Sequence, residues 1–134
     1  MIDLKGRDYI ETQDFSVEEI DHLLAMAADL KAKFQRGEPT LLLPNQTAFL
    51  LFFDKSTRTR NAFEAGATQL GAHAHFLDSS ATQIAHGETP QDTGMILGSM
   101  GHAIAIRHDL IPGAGNSYMR AVADATPVPV INMQ

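Results

Sequence analysis

From Ser56 to Arg60 the chain reads Ser-Thr-Arg-Thr-Arg, three hydroxyls and two guanidiniums in consecutive positions. Hydroxyl donors and planar guanidinium forks are the groups that hold an oxyanion. The unbroken apolar run Ala48–Phe53 stands just before them. Nothing in it alternates with polar residues, so it reads as a strand buried on both faces. A helical pattern follows at once, with Ser56 expected as its cap. Free backbone N–H groups and the positive end of the helix dipole then point out of the sheet, where a phosphate binds readily. The result is a phosphate cradle built without glycine. Lys55-Ser56 has no glycines upstream at the Walker spacing, which excludes that pattern. Gly113-Ala114-Gly115 is expected in a loop and lacks a third glycine, so no dinucleotide fingerprint is present.

Other candidate groups are scattered. Arg107 closes the apolar stretch Ala103–Ile106, and is either an arginine leaving a strand for solvent or a second anion ligand. Arg60 is divided between ligand contact and holding its own loop through Asp54 or Glu64. Gln83 to Glu88 lies in a polar loop, where His86 is either a loop anchor or a ligand contact. His73 and His75 share one face of a strand, yet no third ligand stands near them in the sequence, so packing on the sheet surface is expected and no metal. The carboxylates form no convincing acid–base pair, no Ser-His-Asp order has a supporting elbow, and nothing calls for a cofactor.

The elements that must position these groups alternate. Ser16 with Glu19 forms a capping box and Phe15 with Ile20 a hydrophobic staple, opening a helix whose apolar face carries Ile20, Leu23, Leu24, Ala27, Leu30 and Phe34. Gly37 ends it, and a connector runs from Pro39 to Asn45. Strands are expected over Thr47–Phe53, His73–Leu77, Ala103–Arg107 and Val128–Met133, with helices over Thr57–Leu70, Pro90–Met100 and Ser117–Asp124 between them. Thr89 caps the second of these, with Pro90 at its first position. Such alternation implies an α/β fold: a parallel sheet of about four strands flanked by helices, a Rossmann-like three-layer sandwich. Ligands of such sheets bind beyond the carboxyl ends of the strands, the edge to which Ser56–Arg60, Arg107 and Asn132–Gln134 are assigned. No repeat or linker divides residues 1–134, so one domain is expected.

With a formal net charge of −6, the chain lacks the basic face that nucleic acid requires. An anion must then be drawn by a local positive pocket. A hydrophobic fraction of 44% and a charged fraction of 19% describe an ordinary globular domain, large enough for its own core. No stretch is long enough for a membrane span, and the first residues do not open a secretory signal. The absence of cysteine excludes disulfide and thiol chemistry and fits a cytosolic protein.

Ser56-Thr57-Arg58-Thr59-Arg60, continued as Asn61-Ala62-Phe63-Glu64-Ala65 and Leu70-Gly71, resembles the aspartate/ornithine carbamoyltransferases. The likeness runs on through Gln83–Thr89, Asp92-Thr93, the strand ending at Arg107, and Pro127–Asn132, and so spans nearly the whole chain. It implies a carbamoyl phosphate-binding domain of the ornithine type. Counterparts of Ser56, Thr57, Arg58 and Thr59 bind phosphate in that family. Those of Arg58 and Thr59 also reach the carbamoyl oxygen, and Arg107 matches a further ligand of phosphate or carbonyl. Gln83 matches a carbamoyl phosphate contact, carried on a loop that crosses to a neighbouring subunit of a homotrimer. The implied reaction moves a carbamoyl group to an amine nitrogen and releases phosphate, by orientation and charge stabilisation without a covalent intermediate. The amino-acid co-substrate belongs to a second domain that, with the family's His-Pro-x-Gln segment and its carbonyl-polarising histidine, is not in these 134 residues, so little or no turnover is expected of them alone. Asn61 in place of the usual serine, Gly94 in place of alanine, and a divergent stretch from His108 to Met119 leave the acceptor amine open. Three other readings compete: a stand-alone anion-binding module, a trimerisation domain, and a sugar-phosphate isomerase, the last of which gives Arg58, Arg107 and Gln83 no purpose.

Overall fold

The computed structural model describes residues 2–134. Four strands, β1 (Thr47–Phe52), β2 (His73–Asp78), β3 (Ala103–Arg107) and β4 (Val130–Asn132), form one sheet in the order β2-β1-β3-β4. All three pairings are parallel. Tyr9 adds a single parallel bridge to Ile131 at the outer edge of β4.

β1 is central because its sequence has no polar side to show to water. Leu50 and Leu51, pointing opposite ways, are 1% and 0% exposed. On one face Leu50 and Phe52 pack with Ala105 and Met133, covered by Phe63 of helix α2 (Arg58–Gln69). On the other, Phe49 and Leu51 join Ile104, Ile106 and Val130 under Leu97 of α3 (Pro90–Met100) and Met119 and Val122 of α4 (Ala114–Ala123). The result is the three-layer α/β sandwich expected from the alternation of elements.

α1 (Val17–Gln35) opens with the expected capping box: Ser16 accepts from the Glu19 amide, and the Glu19 carboxylate accepts from the Ser16 amide. No residue of α1 is buried; Leu24 and Phe34 lie open, while Leu30 and Phe34 line a shallow groove shared with Gly66 of α2 and Leu70 just after it. Thr89 caps α3 through the Asp92 amide, with Pro90 at the first turn, as the sequence predicts.

Two expectations are corrected. β4 is shorter than Val128–Met133, pairing only over Val130–Asn132. α4 begins at Ala114, three residues before the predicted start, so Ala114 and Gly115 are helical and not loop. Gly113 makes the entry, with φ +81 in the left-handed region that glycine tolerates. Gly115 is required by contact: a Cβ there would lie 2.5 Å from the His108 carbonyl oxygen.

Candidate functional site: an anion cradle at the carboxyl edge

The chain leaves β1 for β2 on one side and then returns to β3 on the other, so the connections diverge above the adjacent carboxyl ends of β1 and β3. Open parallel sheets bind ligands at this kind of switch point. A cleft of about 240 Å³ lies here, lined by Lys55, Ser56, Thr57, Arg58, Thr59 and Arg107. Residues on two strand–helix connections, about fifty positions apart in sequence, thus share one pocket.

Ser56 is the hub. Its hydroxyl accepts from Arg107 Nη1 at 3.0 Å and from the Arg60 amide at 3.4 Å. With both acceptor positions engaged, its own proton is the part left to give to a ligand. The helix starts one residue later than predicted. Thr57, not Ser56, is the cap residue of α2, and it makes no side-chain capping bond. Ser56 still satisfies one first-turn amide, but Arg107, 51 residues away, claims the rest of its acceptor capacity. The amides of Arg58 and Thr59 are left as free donors of the first helical turn, beside the positive end of the dipole.

Arg58 is exposed and Thr59 half-buried, and among the described residues Arg58 has no carboxylate partner. Lys55 also lines the cleft and has no ion pair among the described residues; its position next to Ser56 was the available signal, and the sequence reading missed it. Arg60 turns away. Its Nε donates to Glu64 at 2.8 Å and its guanidinium lies 3.5 Å above the Phe76 ring, so of its two readings the local anchor through Glu64 is the one observed. Arg107 is held on two sides, by Ser56 and by Asp109 Oδ2 at 2.7 Å.

Gln83 is not in this cleft. It opens a 3-10 turn (Gln83–His86) and lines a separate apolar cleft with Leu51, Leu77, Ile84, Ile96 and Leu97. The polar loop around it is ordered by its own side chains: Asp78 accepts from the Ser80 hydroxyl and amide, Thr82 from the Ile84 amide, and Gly87 turns at φ +90. Those Ser80 bonds, the hydroxyl first, hold the Asp78 carboxyl below its usual range. His86 reaches Gln83 at 3.4 Å. His73 and His75 meet edge-on at 6.3 Å, with His75 against Phe49, so both pack on the sheet surface. Asn132, assigned to the edge, is spent on structure: it donates to the Ile10 carbonyl and accepts from the Gln134 amide.

Behind the cradle, His108 stacks on Phe53 at 4.1 Å and lies 5.3 Å from Tyr118. Burial pushes the Tyr118 phenol above its usual range; Thr93 opposes the rise and the Glu88 carboxylate adds to it. The Thr93 hydroxyl gives its proton to Glu88 at 2.7 Å, and the Tyr118 hydroxyl has no partner within hydrogen-bond geometry.

Residues 7–134 match the family model described as the aspartate/ornithine carbamoyltransferase, carbamoyl-P binding domain. An ornithine carbamoyltransferase of Halalkalibacterium halodurans is 41% identical over 98% of this chain and 40% of its own length. The structure of ornithine carbamoyltransferase from Pyrococcus furiosus superposes with a TM-score of 0.88 at 34% identity, covering 98% of this chain and 41% of that one. Aspartate transcarbamoylase from Trypanosoma cruzi, solved in complex with carbamoyl phosphate, superposes at 0.82 with 28% identity, over 96% of this chain and 40% of that one. This chain spans about 40% of the length of the curated relatives it matches. Over that span the match is continuous, and the chain belongs to the aspartate/ornithine carbamoyltransferase family as its carbamoyl phosphate-binding domain.

Proposed function

We propose that the cradle formed by Ser56, Thr57, Arg58, Thr59 and Arg107 binds carbamoyl phosphate for transfer of its carbamoyl group to an amine nitrogen. The carrying observation is the meeting of Arg107 with the Ser56–Thr59 turn in one cleft, joined by the 3.0 Å Arg107–Ser56 bond. The amine attacks the carbonyl carbon; a C–N bond forms, the C–O bond to phosphate breaks, and phosphate leaves with the electron pair as the amine loses a proton. Negative charge grows on the carbonyl oxygen and on the departing phosphate, and both need donors already in place. The first-turn amides and the Ser56 and Thr57 hydroxyls serve the phosphate; Arg58, Thr59 and Arg107 serve phosphate and carbonyl oxygen together. An ornithine-like amino acid would be held by a second domain.

Gln83 enters through assembly. It stands outside its own chain's cradle, and its cleft borders Ile96 on α3, where Met95, Ile96 and Met100 are open to solvent. This open apolar face supports a homotrimer in which Gln83 of one copy completes the cradle of the next, and the cysteine-free sequence fits a cytoplasmic one. Its check is mass in solution, with a strictly monomeric chain counting against it.

Calorimetric titration with carbamoyl phosphate, and with inorganic phosphate as control, tests the cradle. A charge-assisted contact is worth ~1.5–3 kcal/mol, so Arg58→Ala should weaken binding by about tenfold or more. Equal binding by wild type and Arg58→Ala would place the site elsewhere.

A further inference from the structure

Arg107 arrives at the cradle on the last residue of β3, and the loop beyond it supplies its partner. Asp109 Oδ2 takes Arg107 Nη2 at 2.7 Å while Ser56 takes Nη1, so the guanidinium is gripped from two sides. Asp109 does not line the cleft that Arg107 lines. It stands behind the arginine, outside the ligand's space.

Two features fix the carboxylate there. Its neighbour His108 packs in a three-ring cluster with Phe53 and Tyr118, and the His108 carbonyl is pressed against the backbone at Gly115. The side chains of the pair are only 27% and 22% exposed, and Asp109 Oδ1 is buried with no partner. With one oxygen unspent, the carboxylate has Arg107 as its one polar partner among the described residues. The ion pair also cancels the charge of Arg107 within the cradle. Of the cations that line the cleft, Lys55 and Arg58 are left without a carboxylate partner among the described residues, a match in number for the two charges of a phosphate dianion.

We propose that Asp109 is a positioning residue: it holds the Arg107 guanidinium in its binding pose before ligand arrives and sets how much of the cradle's charge the anion meets. The inference rests on the cradle reading above. It makes Arg107 a prearranged hydrogen-bond donor more than a countercharge, with Ser56 and Asp109 as the two walls of its slot.

The test is a double-mutant cycle read by calorimetry with inorganic phosphate on the folded chain, each variant being checked by its melting curve. Arg107→Ala should cost about tenfold in affinity in the wild-type background, as loss of one charge-assisted contact does. With Asp109→Asn, whose amide oxygen still accepts from Nη2 but no longer offsets the Arg107 charge, the cost should be about tenfold or more. With Asp109→Ala, Arg107→Ala should cost less than about threefold, because an untethered arginine spends its binding on being ordered. Asp109→Ser, too short to reach Nη2, replaces the alanine variant if that one fails to fold. The inference is overturned if Arg107 keeps its full tenfold value without Asp109, or if Asp109→Ala and Asp109→Asn both tighten binding equally, which would make Asp109 a competitor of the ligand. Binding that depends on Arg58 but shows no coupling between Arg107 and Asp109 overturns this inference alone. Phosphate binding indifferent to Arg58, or absent in wild type, removes the cradle and this inference together.

Discussion

Of the two arginines that flank Thr59, only Arg58 faces the cleft, and the difference has separable consequences. Arg60 spends its guanidinium on Phe76 and Glu64, joining the first turns of α2 to β2. A cation over an aromatic face and a part-exposed ion pair together contribute about 1–2 kcal/mol. Arg60→Met should therefore lower the melting temperature by a few degrees and leave phosphate affinity within about twofold, whereas Arg58→Ala should do the reverse. Paired melting and titration experiments read both quantities; a large affinity loss in Arg60→Met would return Arg60 to the ligand. Tyr118 gives a pH prediction. Its phenol is raised in the folded chain, so the fold holds that proton more tightly than the unfolded chain does. Stability from this source is complete below the unfolded phenol's value near 10 and is lost as pH rises beyond it. Tyr118→Phe removes both the titration and an unpartnered buried hydroxyl. Its stability should fall less steeply than wild type's between about pH 9.5 and 11, by urea melts at matched pH values; parallel curves would refute the assignment.

At the scale of elements, glycines in two helices look alike in sequence and differ in space. At Gly94 a Cβ would lie 2.6 Å from the Val122 carbonyl oxygen, so the absence of a side chain lets α3 and α4 approach. Gly66 in α2 has open space around its Cβ direction. Alanine in place of helical glycine gains roughly 0.5–1 kcal/mol where it fits, and overpacking costs about 1–3 kcal/mol where it does not. Gly66→Ala should thus raise the unfolding free energy and Gly94→Ala lower it. A stabilising Gly94→Ala would mean that α3 and α4 have room to part. This contrast explains which elements could be read in advance. The apolar run of β1, the Ser16–Glu19 box and the Thr89-Pro90 start are local signals, and they sit where the sequence puts them. The start of α4 was hidden because Gly113-Ala114-Gly115 reads as loop until His108 is seen against Gly115. For the same reason Ser56 was assigned one role too many: its distant partner Arg107 meets it only after the sheet has formed. The hydroxyls and arginines of the cradle were legible as chemistry. Asp109 was not, since nothing in its sequence neighbourhood marks a carboxylate that will face an arginine at the end of a strand.

For the molecule as a whole, the governing fact is an acidic chain with one concentrated positive site. Sixteen carboxylates stand against ten lysines and arginines, yet Lys55 and Arg58 meet Arg107, whose charge Asp109 offsets, at a single sheet edge beside a helix N-terminus. Such a site gathers an anion without making the surface sticky to polyanions. It is also open to water on the side away from the sheet: Lys55, Thr57 and Arg58 are all exposed. Donors that face bulk solvent hold a phosphate, but they stabilise a developing oxyanion far less than donors in a water-excluded site. Orientation of the attacking amine is a further contribution of about 7–11 kcal/mol in favourable cases, and on the proposed reading the amino acid is held outside this cradle. These 134 residues should therefore bind phosphate and carbamoyl phosphate with affinity that falls as salt is raised, and should show no turnover with ornithine above the uncatalysed rate. The check is citrulline formation at saturating carbamoyl phosphate, alongside titrations at about 20 and 200 mM salt. Turnover near that of a full-length relative would mean that the open cradle, alone or assembled, suffices to orient the amine, and would shift the search for the acceptor site from a second domain to the interface proposed at Gln83.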